Sequence, residues 1–102
     1  MVKSTALPLP DDKVIEQTRW LWENGTTVRK AHFDKELIEA GVTMVDIREV
    51  IFGACRVTNR QWKSKFGTWN YTIEGTDAEG TILNVVVCLD LRNSELIFVT
   101  AF

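Results

Sequence analysis

The sequence has little of what common metal and disulfide sites require. Its 102 residues include two cysteines, one histidine and two prolines. Cys55 and Cys88, with a single histidine elsewhere, build neither a disulfide framework nor a zinc site. We therefore expect no bound metal and no cofactor, and we interpret both thiols as small buried apolar side chains.

Long apolar runs are also missing. The first ten residues lack the uninterrupted apolar stretch of a secretory signal, and no segment approaches the roughly 18 apolar residues that a membrane span needs. The sequence thus predicts a cytoplasmic protein without a membrane segment. The glycines are scattered and form neither a phosphate loop nor a nucleophile elbow, which argues against nucleotide hydrolysis.

The composition is that of one small globular domain. Hydrophobic residues make up 45% of the chain and charged residues 25%, which allows a packed core at this length. Pro8 and Pro10 set off a short N-terminal segment. We predict a flexible leader over residues 1–10 and a single domain over residues 11–102.

The N-terminal half has the periodicity of helices. A helix is predicted over residues 12–23, because Val14, Thr18 and Leu21 share one face. Residues 26–30 are rich in β-branched side chains and are compatible with a short edge strand. A brief amphipathic helix follows, with its apolar face predicted at Phe33, Leu37 and Ile38.

The strongest local signal belongs to a third helix. Thr43 is followed three residues later by Asp46, an acidic variant of the capping box. Ile47, Val50 and Ile51 then have the spacing of an inward face. We expect a helix that begins at Thr43 and ends near residue 53.

The C-terminal half alternates as strands do. Turn-forming residues at 76–80 and 92–94 separate the apolar segments, so strands are predicted at 54–58, 69–74, 82–89 and 96–102. The predicted fold class is α+β, with N-terminal helices packed on a C-terminal three- to four-stranded antiparallel β-meander.

One segment is strongly polarised, although the net charge of the chain is −2. Between Phe52 and Ile73 there is no acid, while cations alternate with aromatic rings: Arg56, Arg60, Trp62, Lys63, Lys65, Phe66 and Trp69. Cations that hold phosphates beside rings that stack on bases are typical of single-strand recognition. The alternative is a solvated loop or sheet edge, with the tryptophans in the core.

His32 is the only histidine. Histidine is the side chain most often used as a general base or acid near neutral pH. It can equally cap the helix that begins near Phe33 or donate to a backbone carbonyl. Both interpretations stay open at this point.

The order of these motifs resembles the RelE/ParE/BrnT superfamily of small bacterial toxins. The similarity is greatest to uncharacterised bacterial domains grouped near BrnT, and it spans about residues 30–102. The residues that carry it are His32, Leu37, Gly41-Val42, Asp46-Ile47, Val50, Tyr71, Ile73, Gly75, Asp77, Gly80 and the Asn84-Val85-Val86-Val87 strand.

The resemblance implies a metal-independent endoribonuclease that cleaves messenger RNA and is neutralised by an antitoxin protein. In such chemistry a base deprotonates a ribose 2′-hydroxyl, and the 2′-oxygen attacks the adjacent phosphate. Cations stabilise the negative charge that develops on the phosphate. The implied catalytic residues are His32, Arg56, Lys63 and Lys65. The RNA-binding candidates are Arg60, Trp62 and Trp69 from the basic, aromatic segment, together with Arg92, because the resemblance implies a cation near the end of the sheet.

The chain also departs from these relatives. Where the histidine-led helix of that branch often carries arginines four and eight residues after the histidine, this chain has Glu36 and Ala40. The alternative prediction is therefore a noncatalytic interaction module that binds a protein or itself through Trp20, Trp22 and Phe102. The sequence does not fix the oligomeric state.

Overall fold

The computed structural model describes residues 7–102. Three helices and five strands lie within this range. Their bounds are α1 Asp11–Asn24, β1 Thr26–Arg29, α2 Ala31–Ala40, α3 Met44–Phe52, β2 Arg56–Lys63, β3 Thr68–Thr76, β4 Ile82–Asp90 and β5 Glu95–Ala101. No helix among these residues has the length and apolarity to cross a membrane.

The five strands form one mixed sheet in the order β1-β5-β4-β3-β2. Strands β2 to β5 make the antiparallel meander, and β1 lies parallel to β5, with Val28 opposite Ile97. The α+β class is thus confirmed, whereas the prediction of a purely antiparallel sheet of three or four strands was wrong. The helices do not all precede the strands either, because β1 lies between α1 and α2.

Local sequence accounts for α1 and most of α2. Helix α1 buries Val14, Thr18 and Leu21, as its periodicity predicts. The Thr18 hydroxyl is satisfied within the helix, because it donates to the Val14 carbonyl at 2.6 Å. In α2, Leu37 is buried but Ile38 is 80% exposed, so the predicted inward position of Ile38 was wrong. Adjacent residues of a helix point about 100° apart. The buried face of this short helix is narrow, so it includes Leu37 but not Ile38.

The predicted capping box opens α3. The Thr43 hydroxyl accepts from the Asp46 N–H at 3.3 Å, and the Asp46 carboxylate accepts from the Thr43 N–H at 2.9 Å. Two backbone N–H groups that the helix leaves unpaired are thereby satisfied.

Removing this cap has a measurable cost. We expect Thr43→Ala to lower the free energy of unfolding by about 0.5–2 kcal/mol. Urea denaturation followed by circular dichroism measures the loss. Val45→Ala is the control, since Val45 lies on the same turn with 65% exposure and does not cap. Equal stability of Thr43→Ala and wild type would show that the capping box contributes nothing.

A single apolar core lies between the helices and one face of the sheet. Phe98 of β5 is fully buried in it. Its ring stacks on Phe33 of α2 at a centroid distance of 5.3 Å and meets the edge of Trp22 of α1 at 5.7 Å. One aromatic cluster therefore joins two helices to the sheet.

The opposite face of the sheet carries a different set of side chains. Register places Asn70, Cys88 and Ile97 side by side on β3, β4 and β5. They alternate along their strands with residues of the core, so they point away from it. Cys88 is 6% exposed yet does not belong to the core cluster. This second face forms the floor of the site described next.

Candidate functional site

A cavity of about 430 Å³ opens on the second face of the sheet. Thr68, Asn70, Cys88 and Ile97 of the central strands line it. Its other lining residues come from three separate places: the β1–α2 junction with Lys30 and His32, the β2–β3 hairpin with Lys63 and Phe66, and β5 with Phe98 and Val99. Two residues far apart in the sequence, His32 and Lys63, thus share one cavity.

A bulge in β5 positions His32. Phe98 and Thr100 pair with the consecutive residues Val87 and Val86, so Val99 is the extra residue of a β-bulge. The Nε2 atom of His32 lies 2.9 Å from the Val99 carbonyl oxygen. A carbonyl only accepts, so Nε2 is the donor and the neutral ring carries its lone pair on Nδ1. The imidazole is exposed, and Nδ1 is the atom that can accept a proton.

The cavity is cationic. Lys63 ends β2, and Lys30 occupies the N-cap position of α2. None of the described residues that line the cavity is acidic. Phe66, at the tip of the hairpin, is 68% exposed, and the Lys65 ammonium lies 5.6 Å from the centre of its ring. Lys65 is therefore close to the cavity without lining it. The sequence interpretation did not include Lys30.

The two arginines of the basic segment lie elsewhere. Arg56 pairs with Glu74 at 2.9 Å on β3 and lines a separate cavity near Gly75. Arg60 pairs with Asp11 at the start of α1, and its Nε donates to the Leu9 carbonyl at 3.4 Å. Both guanidinium groups thus have carboxylate partners outside the His32 cavity.

Trp62 and Trp69 form a cross-strand pair with ring centroids 5.4 Å apart. Trp69 alternates with Asn70 along β3, so the pair lies on the helix side of the sheet, where Trp69 packs against the core. Arg92 is exposed in the β4–β5 turn and does not line the cavity. These three predicted RNA-binding residues are not brought together with His32.

Leu9 belongs to the predicted leader, of which the structure describes residues 7–10; residues 1–6 lie outside the described range. Its N–H donates to the Tyr71 hydroxyl at 3.0 Å, and its side chain packs against the core. This contact satisfies the polar end of Tyr71, which is otherwise buried.

The Cys88 thiol in the cavity floor is held in its protonated form. Burial raises its pKa above the ordinary value of 9.0, which outweighs the lowering effect of a hydrogen bond with the Thr68 side chain. Burial likewise raises the pKa of Cys55, against the nearby Arg19 guanidinium. A thiol that stays protonated is a poor nucleophile.

These two thiols predict a loss of stability in alkali. Above pH 9.0 the unfolded chain releases thiol protons that the folded chain retains, so the unfolding free energy falls as pH rises through this range. Thermal melts between pH 7 and pH 10 measure the effect. A Cys55→Ala, Cys88→Ala double variant should show a smaller fall over the same interval. An identical fall in both proteins would contradict the assignment.

Among residues 7–102 no group of three or more histidine, cysteine and carboxylate side chains is arranged to hold a metal ion. The chemistry that the cavity offers is that of an imidazole, two ammonium groups and an aromatic ring. No family model, curated protein or solved structure matches this chain.

Proposed function

We propose that this chain is a metal-independent endoribonuclease, the toxin of a toxin–antitoxin pair, which holds single-stranded RNA in the His32 cavity. The observation that carries the proposal is the meeting of His32, Lys63 and Lys30 in one open cavity without a carboxylate. An anionic polymer with an ionisable hydroxyl beside each phosphate suits these groups, and RNA is that polymer.

The proposed reaction is a transfer within the RNA backbone. Nδ1 of His32 accepts the proton of a ribose 2′-hydroxyl, and the 2′-oxygen attacks the adjacent phosphorus. Lys63 and Lys30 stabilise the negative charge that grows on the non-bridging oxygens. The bond from phosphorus to the 5′-oxygen breaks, and a lysine ammonium or water protonates that oxygen. The products are a 2′,3′-cyclic phosphate and a 5′-hydroxyl.

The proposal relies only on those predicted residues that line the cavity or lie close to it. His32 and Lys63 remain from the sequence prediction, and Lys65 stays close through its contact with Phe66. Arg56 forms a salt bridge with Glu74, and Arg60 forms one with Asp11. The exposed ring of Phe66 takes the stacking role that the sequence assigned to the two tryptophans.

Cleavage of a labelled single-stranded RNA in the presence of EDTA tests the proposal. We expect products that end in a 2′,3′-cyclic phosphate. A substrate with 2′-deoxyribose at the cleaved position is the matched control and must resist. RNA that stays intact with and without ribosomes, together with normal growth of cells that express the chain, would overturn the proposal. If expression of the chain slows growth, a small protein that is encoded beside it and restores growth is the antitoxin.

A noncatalytic interaction module is the second candidate. Trp20 is 50% exposed and lines a shallow surface cavity with Leu91, while Phe102 is 67% exposed. Trp22, in contrast, packs on Phe52 and Phe98 at the core, so its ring is used within the chain. This candidate predicts concentration-dependent association that RNA does not change and that Trp20→Ala removes. A monomer at all concentrations in sedimentation would exclude self-association.

A further inference from the structure

Asn70 stands out in the cavity floor. It is 9% exposed, lies on the interior strand β3 and lines the cavity. Its side-chain amide has no hydrogen-bond partner among the described residues. Because no side-chain polar atom of the described chain is both fully buried and unpartnered, the amide atoms must remain accessible from the cavity.

An amide at this depth normally has protein partners. The flanking side chains do not supply them. Gln61 on β2 is exposed, and neither Gln61 nor Cys88, its cross-strand neighbours, forms a hydrogen bond with the amide. The donor and the acceptor of Asn70 are therefore both available to a molecule that enters the cavity.

We propose that Asn70 reads the edge of one unpaired nucleobase that stacks on Phe66, an inference that rests on the proposed RNA-binding function. An asparagine amide presents a donor and an acceptor side by side, which matches a base edge with an adjacent acceptor and donor. The cavity volume of about 430 Å³ is within the range of small-molecule sites. Lys30 and Lys63, at the same cavity, hold the neighbouring phosphates.

The three side chains then have separable roles. The Phe66 ring gives stacking affinity to every base, and the lysines give salt-dependent affinity to every phosphate. Asn70 alone distinguishes one base from another. The consequence is a preference for one nucleotide at the bound position.

Binding of short 2′-O-methyl oligonucleotides of A, C or U tests this, because the methyl group blocks cleavage. For the wild-type protein we expect a spread of Kd values of about 5- to 100-fold between the bases. Asn70→Leu should reduce the spread to about twofold without changing the salt dependence. Lys63→Ala should weaken all three oligonucleotides equally and reduce the salt slope by about 1.

Thr72→Val is the matched control. Thr72 has the same 9% exposure on the same face of β3 but does not line the cavity, so its variant should keep the wild-type spread. Asn70→Leu should also melt near the wild-type temperature, since it breaks no hydrogen bond among the described residues. This result shows that the variant is folded when its binding is measured.

The outcomes separate the two proposals. If the wild-type protein binds all three oligonucleotides equally, or if Asn70→Leu keeps the wild-type spread, base reading by Asn70 is wrong while RNA binding stands. If the wild-type protein binds none of them, the proposed function itself fails, and the base-reading role fails with it.

Discussion

Replacing His32 with glutamine is expected to slow RNA cleavage by about 10²- to 10⁴-fold, the usual contribution of a general base. A glutamine amide can still donate to the Val99 carbonyl, as Nε2 of His32 does at 2.9 Å. It offers no nitrogen lone pair in place of Nδ1. Single-turnover rates at saturating protein measure the loss, and the Kd for a 2′-O-methyl oligonucleotide should change little.

Two comparisons distinguish a base from a structural anchor. Cleavage by His32→Ala should recover in part when imidazole is added to the solution, which a purely structural role would not allow. Lys35→Ala, an exposed cation change on the same helix, should cleave at the wild-type rate. If His32→Gln retains full activity, the ring only ties α2 to the bulge in β5, and the proposed mechanism loses its base.

Phe98→Ala is expected to have the largest effect on stability, a loss of about 3–5 kcal/mol in the free energy of unfolding. The ring is fully buried between Phe33 and Trp22, so its removal leaves a cavity where both helices meet the sheet. Small domains have only about 5–15 kcal/mol in total. The melting temperature should fall by more than about 12 °C, at about 4–8 °C for each kcal/mol.

Urea denaturation measures this change as a lower midpoint at an unchanged slope. Phe102→Ala deletes the same side chain where it is 67% exposed, and should cost no more than about 0.5 kcal/mol. A loss below about 1 kcal/mol for Phe98→Ala would mean that the core closes around the missing ring and does not depend on the aromatic cluster.

Elements with local signals could be predicted from the sequence. The buried face of α1 follows from the spacing of Val14, Thr18 and Leu21, and the start of α3 follows from Thr43 and Asp46. In each case the residues that determine the element lie within a few positions of one another. Propensity, capping and periodicity act over that distance.

The parallel strand could not be predicted in the same way. Residues 26–30 were compatible with an edge strand, but nothing in four residues of β1 specifies a parallel pairing with β5 at the other end of the chain. Long-range pairing depends on how α1 and α2 pack, and packing is a tertiary property. The observed sheet therefore has one strand more than predicted, and this strand makes the sheet mixed.

The candidate site was predicted in part for a related reason. The cations at 56, 60 and 63 are neighbours in sequence, yet carboxylates brought close by the fold pair with Arg56 and Arg60. Lys30 and Asn70 were not predicted as site residues. For Asn70 a signal did exist, because strict alternation with Tyr71 places it on the face away from the core.

The two borders of the sheet bear on how the protein behaves at high concentration. The outer border of β2 carries Arg56, Arg60 and Lys63 and is interrupted by an irregularity between Val57 and Asn59, while β1 at the other border is only four residues long. Charged, kinked or short borders discourage the addition of strands from other molecules. We therefore expect the positively charged border of β2 to disfavour edge-to-edge association with other molecules.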